Sequence, residues 1–476
     1  MVTVRPVKWC AVSLSEVRAR GLRLEAGFYD VETRTARDRV LSSPLGWTPL
    51  GGPKGLAANA FYPGRFKRVY CNWGNGTPFY LPSQMTALYP EPDKWISSIS
   101  NCSLNELVLE KGTLVLARSG TIGPLSIVTK TLSGKVFSDD VIRVSFKSEN
   151  DLGFVYAFLK SRIGNRLLAQ SQYGAVITHI EPEHLAAIPV PNAPDDVKKR
   201  IHEAVVRSYE LRDESNDLLA RARALLADAL DLPPLSDFTE SRTIPTEAPQ
   251  TFDIRLKDLA GRLDVSYHLP VVHAIEEQLL TNAAEVATVG DPRVSKRIIL
   301  PGRFKRVYVE EGFGKVFIGG KQLGELDPSN KKYLSVSHHG KRIDEQLTIR
   351  ENMTLVTCSG TIGRVSLVGC HWDGWTASQH ILRVVPASRD IAGYLYVWLS
   401  SEWAKPLIVR NSYGAVIDEI SDAQLAAVPF PLLKDPATQA EINRLALEAS
   451  ALRSDAYDFE QEALRAMEDK VLSSGN

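Results

Sequence analysis

The chain has 476 residues, 44% hydrophobic and 24% charged, with Lys+Arg and Asp+Glu equal at 56 each. This length predicts more than one domain, each able to bury a core, and no apolar run nears the ~18 residues that span a bilayer. The start MVTVRPVKWCAVSL lacks a signal-peptide pattern, so a cytoplasmic protein without membrane association is expected.

In chain order, the basic, aromatic octapeptide PGRFKRVY occupies Pro63–Tyr70. GTLVLARS (112–119) reads as a buried strand, the TIG after it as a turn, and PLSIVTK as the return strand of a hairpin. VIRVSF reads as a further strand and FVYAFLKS as a short apolar helix, and LAAIPVP leads into a long stretch with helical spacing. The same order then recurs. PGRFKRVY returns unchanged at Pro301–Tyr308, an offset of 238, followed by NMTLVTCS, RVSLVGC, ILRVVP, YLYVWLSS and LAAVPFP. SGTIG at Ser119–Gly123 and Ser359–Gly363, and YGAVI at Tyr173–Ile177 and Tyr413–Ile417, repeat at an offset of 240. Near-constant offsets over this distance mean that a whole half-chain is duplicated.

The first helical stretch runs from about Asp195 to Asp231, with Pro194 placed for a first turn and Pro233-Pro234 as the stop. Its twin runs from Asp435, a capping residue before Pro436, to about Val471. A heptad seam fits both: Ile201, Ala204, Ser208, Leu211, Ser215, Leu218, Ala222, Leu225 and Ala229, and then Ile442, Leu445, Ala449, Leu452, Ala456, Phe459, Ala463 and Ala466. Two separate amphipathic helices would satisfy the pattern, but so long and narrow a seam favours an antiparallel pair about 50 Å long, the span of one to one and a half turns of B-DNA. The expected fold is α/β, with two similar domains separated by two long antiparallel, coiled-coil-like helices in an internal pseudo-twofold repeat. The expected divisions are domain 1 at 1–193, helix 194–231, linker 232–255, domain 2 at 256–434 and helix 435–476.

This arrangement strongly resembles the specificity subunit of type I restriction-modification systems. The resemblance rests on SGTIG, on YGAVI followed by LAAIPVP or LAAVPFP, on the long helix after each, and on the repetition of the whole. It implies two target-recognition domains that each read one half of a split sequence in double-stranded DNA, and helices that set the spacing. It also implies two copies of an adenine methyltransferase subunit as partners, joined by restriction/translocase subunits. The chain itself carries no P-loop, no Asn-Pro-Pro-aromatic tetrapeptide and no nuclease carboxylate cluster, so no catalytic residue is expected. Five scattered cysteines without a CxxC pair give neither a disulfide framework nor a zinc ribbon. Cys358, Cys370-His371 and His380 have ligand chemistry but no counterpart in the first half, so neither a metal nor a cofactor is expected.

Charge by segment bears on DNA. Residues 1–195 carry 22 Lys/Arg against 16 Asp/Glu and residues 256–436 carry 21 against 20, whereas 231–255 and 437–476 together carry 6 against 13. The first domain is basic, and phosphate binding by the second requires a local patch. Arg65, Lys67 and Arg68, with twins Arg303, Lys305 and Arg306, suit backbone anchoring, although as a strand the octapeptide would not place all three cations on one face. Base reading should lie where the halves diverge: Asn72, Asn75, Ser83 and Gln84 in the first, Lys321, Gln322, Lys331 and Lys332 in the second. The SGTIG turns offer hydroxyls and backbone N–H groups through Ser119 and Thr121 beside Arg118, and through Ser359 and Thr361. Ser138-Asp139-Asp140 stands opposite Ser378-Gln379-His380, where Gln379 and His380 suit DNA and two carboxylates do not. A protein-interaction scaffold without DNA specificity is the competing expectation, favoured by the neutral total; an unrecognised enzyme would need an acid/base constellation in both halves.

Overall fold

The computed structural model describes residues 9, 11–19, 22, 29–72, 74–120, 123–170, 179–240, 251–259, 261–328, 331–414 and 416–473. The chain divides into two compact units, one of Met1–Asp213 with Ala456–Asn476 and one of Glu214–Asp455. Each long helix begins in one unit and continues into the other.

Unit 1 contains β1 (Trp47–Pro49), β2 (Ala57–Phe61), β3 (Tyr70–Cys71), β4 (Thr77–Tyr80), β5 (Lys94–Ile96), β6 (Leu114–Ala117), β7 (Leu125–Ile127), β8 (Val136–Phe137), β9 (Val141–Phe146) and β10 (Pro189–Pro191). They form three sheets: a β1-β10 pair, an antiparallel β2-β9-β6-β7 sheet, and a β3-β5-β4-β8 sheet in which β4 and β8 run parallel. Unit 2 repeats this with β11 (Glu285–Thr288), β12 (Ser295–Ile299), β13 (Tyr308–Val309), β14 (Gly314–Ile318), β15 (Lys332–Ser335), β16 (Thr354–Thr357), β17 (Val365–Leu367), β18 (Thr376–Ala377), β19 (Ile381–Pro386) and β20 (Pro429–Leu432). Its sheets are β11-β20, β12-β19-β16-β17 and β13-β15-β14-β18. The strands and hairpins expected from GTLVLARS, VIRVSF and their twins are all present.

The central strands are apolar at successive positions because both faces are covered. Leu114 and Leu116 of β6 point into one core with Ile142 and Val144, whereas Val115 and Ala117 point into another with Val141. The two-residue period of a strand divides one apolar run between two cores. In unit 2 Val356, Leu382 and Val384 face one core, and Leu355 and Ile381 the other.

The larger core of each unit is closed by a helix, Glu149–Lys160 or Arg389–Leu399, packed against a long helix. Glycine permits the approach. A Cβ on Gly153 would lie 2.7 Å from His202 Cα, and one on Gly393 would lie 2.4 Å from Asn443 O. His202 Nδ1 accepts from Gly153 N at 3.3 Å, and Asn443 Oδ1 accepts from Gly393 N at 2.7 Å and Tyr394 N at 3.2 Å. Burial lowers the pKa of His202, which keeps its ring neutral and able to accept.

The long helices span Asp195–Leu230 and Pro436–Ala466, the second continuing as a π-helical turn over Met467–Leu472. Asp435 accepts from Ala437 N and Thr438 N at 3.0 and 3.1 Å, the expected cap. In unit 1 Arg200 meets Glu462 at 2.6 Å and Ser208 Oγ donates to Ala456 O at 2.6 Å, the order of an antiparallel pair. In unit 2 Arg453 donates to Asn216 Oδ1 at 3.2 Å.

The expected seam needs correction along part of each helix. Beyond Ser215 the buried positions are Leu219, Ala222, Leu226 and Leu230 rather than Leu218, Leu225 and Ala229; Glu460 and Met467 are buried in place of Phe459 and Ala466. A straight helix drifts ~20° per heptad from a 3.5-residue repeat, and packing against a domain as well as the partner helix widens the stripe. Glu460, 1% exposed, is bonded by Tyr156 Oη, by Lys160 Nζ at 2.8 Å and by Arg212 Nη2 at 3.2 Å. Burial alone would raise its pKa, but the charges of Lys160 and Arg212 hold the carboxyl at about 2.

Among the described residues no helix is long and apolar enough to cross a membrane.

Candidate nucleic-acid interface

The octapeptide is not a strand except at its last residue: Tyr70 opens β3 and Tyr308 opens β13. The preceding chain is held by one aromatic hub in each unit. Phe79 of β4 takes Phe66 edge-on at 6.4 Å, Tyr70 at 6.3 Å and the Arg68 guanidinium at 5.8 Å. Phe317 of β14 takes Tyr308 at 5.9 Å and the Arg306 guanidinium at 5.5 Å. The two arginines thus occupy the same place in the repeat, and their surroundings differ.

Arg68 is neutralised inside unit 1. Its Nε and Nη2 donate to Asp139 Oδ1 at 3.2 and 2.5 Å, and Nη2 also reaches Asp140 Oδ2 at 3.1 Å and Ser138 Oγ at 3.1 Å. Unit 2 has Gln379 and His380 in place of these carboxylates. The Arg306 Nε and the Gln379 Oε1 are buried without a hydrogen-bond partner. Burial lowers the pKa of His380, and the charge of Arg306 lowers it further.

The turn that carries these side chains is built from beneath by a buried arginine. Arg143 of β9 donates to Leu107 O at 3.0 Å and Phe137 O at 3.3 Å; Arg383 of β19 donates to Ser378 O at 3.0 Å and Leu347 O at 3.2 Å. Burial brings the Arg383 pKa down to about 9 and that of Arg143 to about 10. Both are scaffold residues that keep residues 138–140 and 378–380 in one shape.

The SGTIG turn joins this cluster. Ser119 Oγ donates to Asp140 Oδ1 at 2.8 Å and lies 2.9 Å from His179 Nδ1. Burial opposes ionisation of Asp140, but hydrogen bonds from Ser119 and Arg68 hold its pKa below the usual carboxylate value. In unit 2 Ser359 Oγ donates to Glu419 Oε1 at 3.3 Å. Carboxylate and imidazole have therefore exchanged places across the duplication, Asp140 and His179 becoming His380 and Glu419. The trio in unit 1 does not activate a nucleophile: the hydroxyl proton is directed to the carboxylate, leaving His179 Nδ1–H to donate, whereas a serine nucleophile hands its proton to an imidazole that the carboxylate orients.

Of the cations in the octapeptides, Arg65 and Lys67 are not fully enclosed and form no ion pair among the described residues. Lys305 is likewise open to solvent, and Arg303, 77% exposed, pairs with Glu419 at 3.0 Å. Arg118 is 5% exposed, bonded to Glu181 at 2.5 Å and stacked 4.2 Å from the Tyr62 ring centroid, so its charge is satisfied inside the unit. Asn72, Ser83 and Lys321 are exposed, as is Thr361; Thr121 lies outside the described residues. Gln84 and Gln322 make the same local cap, accepting from Leu81 N at 2.7 Å and Gly319 N at 2.9 Å, and so are equivalent residues rather than points of divergence.

Several residues of this face carry no signal of their own in the sequence. Lys94, 4.4 Å from the Tyr70 ring centroid, is the equivalent of Lys332, 5.2 Å from that of Tyr308, although only Lys332 stands out in the sequence as a candidate reader. His179 and Glu419 are legible only as the residues two positions past each YGAVI. In unit 2 paired backbone hydrogen bonds join Tyr413 and Glu419, and Val416 is 95% exposed; the twin segment at 173–177 lies outside the described residues. Among the described residues no three His, Cys, Asp or Glu side chains are grouped to hold a metal. His371 instead bonds Ser454 Oγ at 2.9 Å, and burial pushes the Cys358 thiol up to about 12.

No protein-family model and no curated protein matches the chain. Solved structures that it resembles include S subunits of type I restriction-modification systems. The S subunit from M. genitalium is 12% identical, with 90% of this chain and 98% of that chain covered at a TM-score of 0.33. The HsdS subunit from Thermoanaerobacter tengcongensis is 15% identical, with 89% and 100% covered at 0.28. A chain from a structure on complex assembly and conformational transition of the type I R-M system gives 15%, 89%, 99% and 0.28. At these scores the likenesses carry no weight for function, which has to come from the residues above.

Proposed function

We propose that the chain is a noncatalytic DNA sequence-specificity subunit of the type I restriction-modification kind. Residues 1–193 and 256–434 each read one half of a bipartite target. The long helices fix the spacing, and the subunit directs two adenine methyltransferase copies, with restriction/translocase subunits, to that target. The observation that carries this reading is a shared frame with unlike charge: both units present the same octapeptide on the same aromatic hub, but carboxylates neutralise Arg68 and, among the described residues, none pairs with Arg306. Constant backbone with variable polar groups suits two different half-sites.

The test is titration of duplex DNA with the full chain assembled with its methyltransferase partner, over a salt series. Specific binding with a steep fall in affinity as salt rises supports the proposal. Stable partner binding with little DNA affinity favours the scaffold reading, for which the equal totals of 56 acidic and 56 basic residues speak.

A further inference from the structure

Identical octapeptides would ordinarily be assigned one identical task. The surroundings separate them. Arg68 has four hydrogen bonds to Ser138, Asp139 and Asp140, which occupy its Nε–Nη2 edge and neutralise its charge inside unit 1. Arg306 holds the same stacked position on Phe317 and forms no ion pair among the described residues. Beside it the Gln379 amide nitrogen reaches the His380 ring at 3.4 Å, and its oxygen, like Arg306 Nε, is buried without a partner. Buried polar atoms left unpaired are costly, and a cluster of them in one unit, where the equivalent arginine of the other is paired with carboxylates, marks a place completed by a ligand.

We propose that Arg306, Gln379 and His380 form a site for a pair of nucleic-acid acceptor atoms in the half-site contacted by unit 2. Unit 1 has closed the equivalent site by building Asp139 and Asp140 onto Arg68. A guanidinium fork matches two adjacent acceptors, such as those on a guanine edge or two oxygens of one phosphate. The amide adds an acceptor of its own, which suits a base edge with a donor beside the acceptors. The inference rests on the DNA-reading function proposed above and assigns a specificity position within it.

The test is a charge graft in the full chain with its methyltransferase partner. Gln379→Asp with His380→Asp gives Arg306 the surroundings of Arg68, and Arg306→Ala removes the fork outright. The probes are the wild-type target duplex and a set with each base pair of the unit 2 half replaced in turn. If the acceptors belong to a base, both variants lose discrimination at one base pair by about ten- to a hundredfold, with other positions unchanged. If they belong to a phosphate, both variants weaken binding to every duplex alike and lower the salt slope by about one. Either result supports the site and identifies the atoms. Unaltered affinity and unaltered discrimination at every position, in variants that melt like the wild type, overturn it. A wild-type chain with no sequence preference would instead overturn the DNA-reading function, and this inference with it.

Discussion

Arg68 and Asp139 are joined through both Nε and Nη2 of the guanidinium, at 3.2 and 2.5 Å, with the Asp139 side chain almost wholly buried. Removing the carboxylate leaves a largely enclosed cation with one fewer partner. Asp139→Ala is expected to destabilise unit 1 by about 3 kcal/mol, whereas Gln379→Ala, at the twin position, should cost under about 1 kcal/mol. Hydrogen exchange resolved by segment would separate the two units; equal protection losses in both would contradict the asymmetry.

Glu460 links stability to acid. Its carboxyl is held at about 2 against an ordinary 4.5, so its contribution is present above pH about 4.5 and is lost as pH falls towards about 2. Glu460→Gln should cost about 3–5 kcal/mol at neutral pH, because Lys160 and Arg212 are left without their counter-charge. The variant should also show a shallower loss of stability as pH falls through that range. Urea midpoints across the same range, followed on unit 1, give the comparison, and parallel curves would remove Glu460 from the account.

Gly153 and Gly393 set how closely each domain helix rides on its long helix. A Cβ at either position meets backbone atoms, at 2.7 Å for Gly153 and 2.4 Å for Gly393, so Gly153→Ala or Gly393→Ala should cost about 1–3 kcal/mol through displacement of the helix. Thermal unfolding should show a lowered transition for the altered unit. An unshifted melt would mean that the packing there is softer than the backbone geometry requires.

The solvent-facing cations of the octapeptides should act without regard to sequence. Arg65→Ala with Lys67→Ala is expected to weaken binding to all duplexes and to flatten the salt dependence by about one for each phosphate no longer neutralised. Arg68→Ala should leave that slope unchanged, since its charge is already neutralised by Asp139 and Asp140. A slope change for Arg68 equal to that for Arg65 and Lys67 would reverse the assignment.

The duplication, the hairpins and the long helices are legible in the sequence because each depends on a local pattern: repeated motifs, runs of apolar strand residues, and Asp435-Pro436 at a helix start. The buried stripe is legible only as far as Ser215, because beyond it packing against a domain, which no heptad records, decides whether Leu218 or Leu219 turns inward. Glu460 is hidden for a related reason: a carboxylate beside a seam position reads as exposed until Lys160 and Arg212 are brought to it. The site is legible in outline. The turn 138–140 and its twin stand out by their differing residues, but Arg68 and Arg306 sit in identical octapeptides, and what distinguishes them lies some 70 residues away at Asp139 and Gln379. Gln84 and Gln322 read as divergent because their flanking sequences differ, whereas the fold gives them one shared capping role.

The proposed role of this chain is to give a modification enzyme its sequence. The most direct measurement is a genome-wide adenine methylation map of cells expressing the chain with its methyltransferase partner, against cells lacking only the chain. A split motif should be present only with the chain, and one half of it should change when residues 1–193 are exchanged for those of another such chain. An active methyltransferase whose methylation pattern is the same with and without the chain would contradict it.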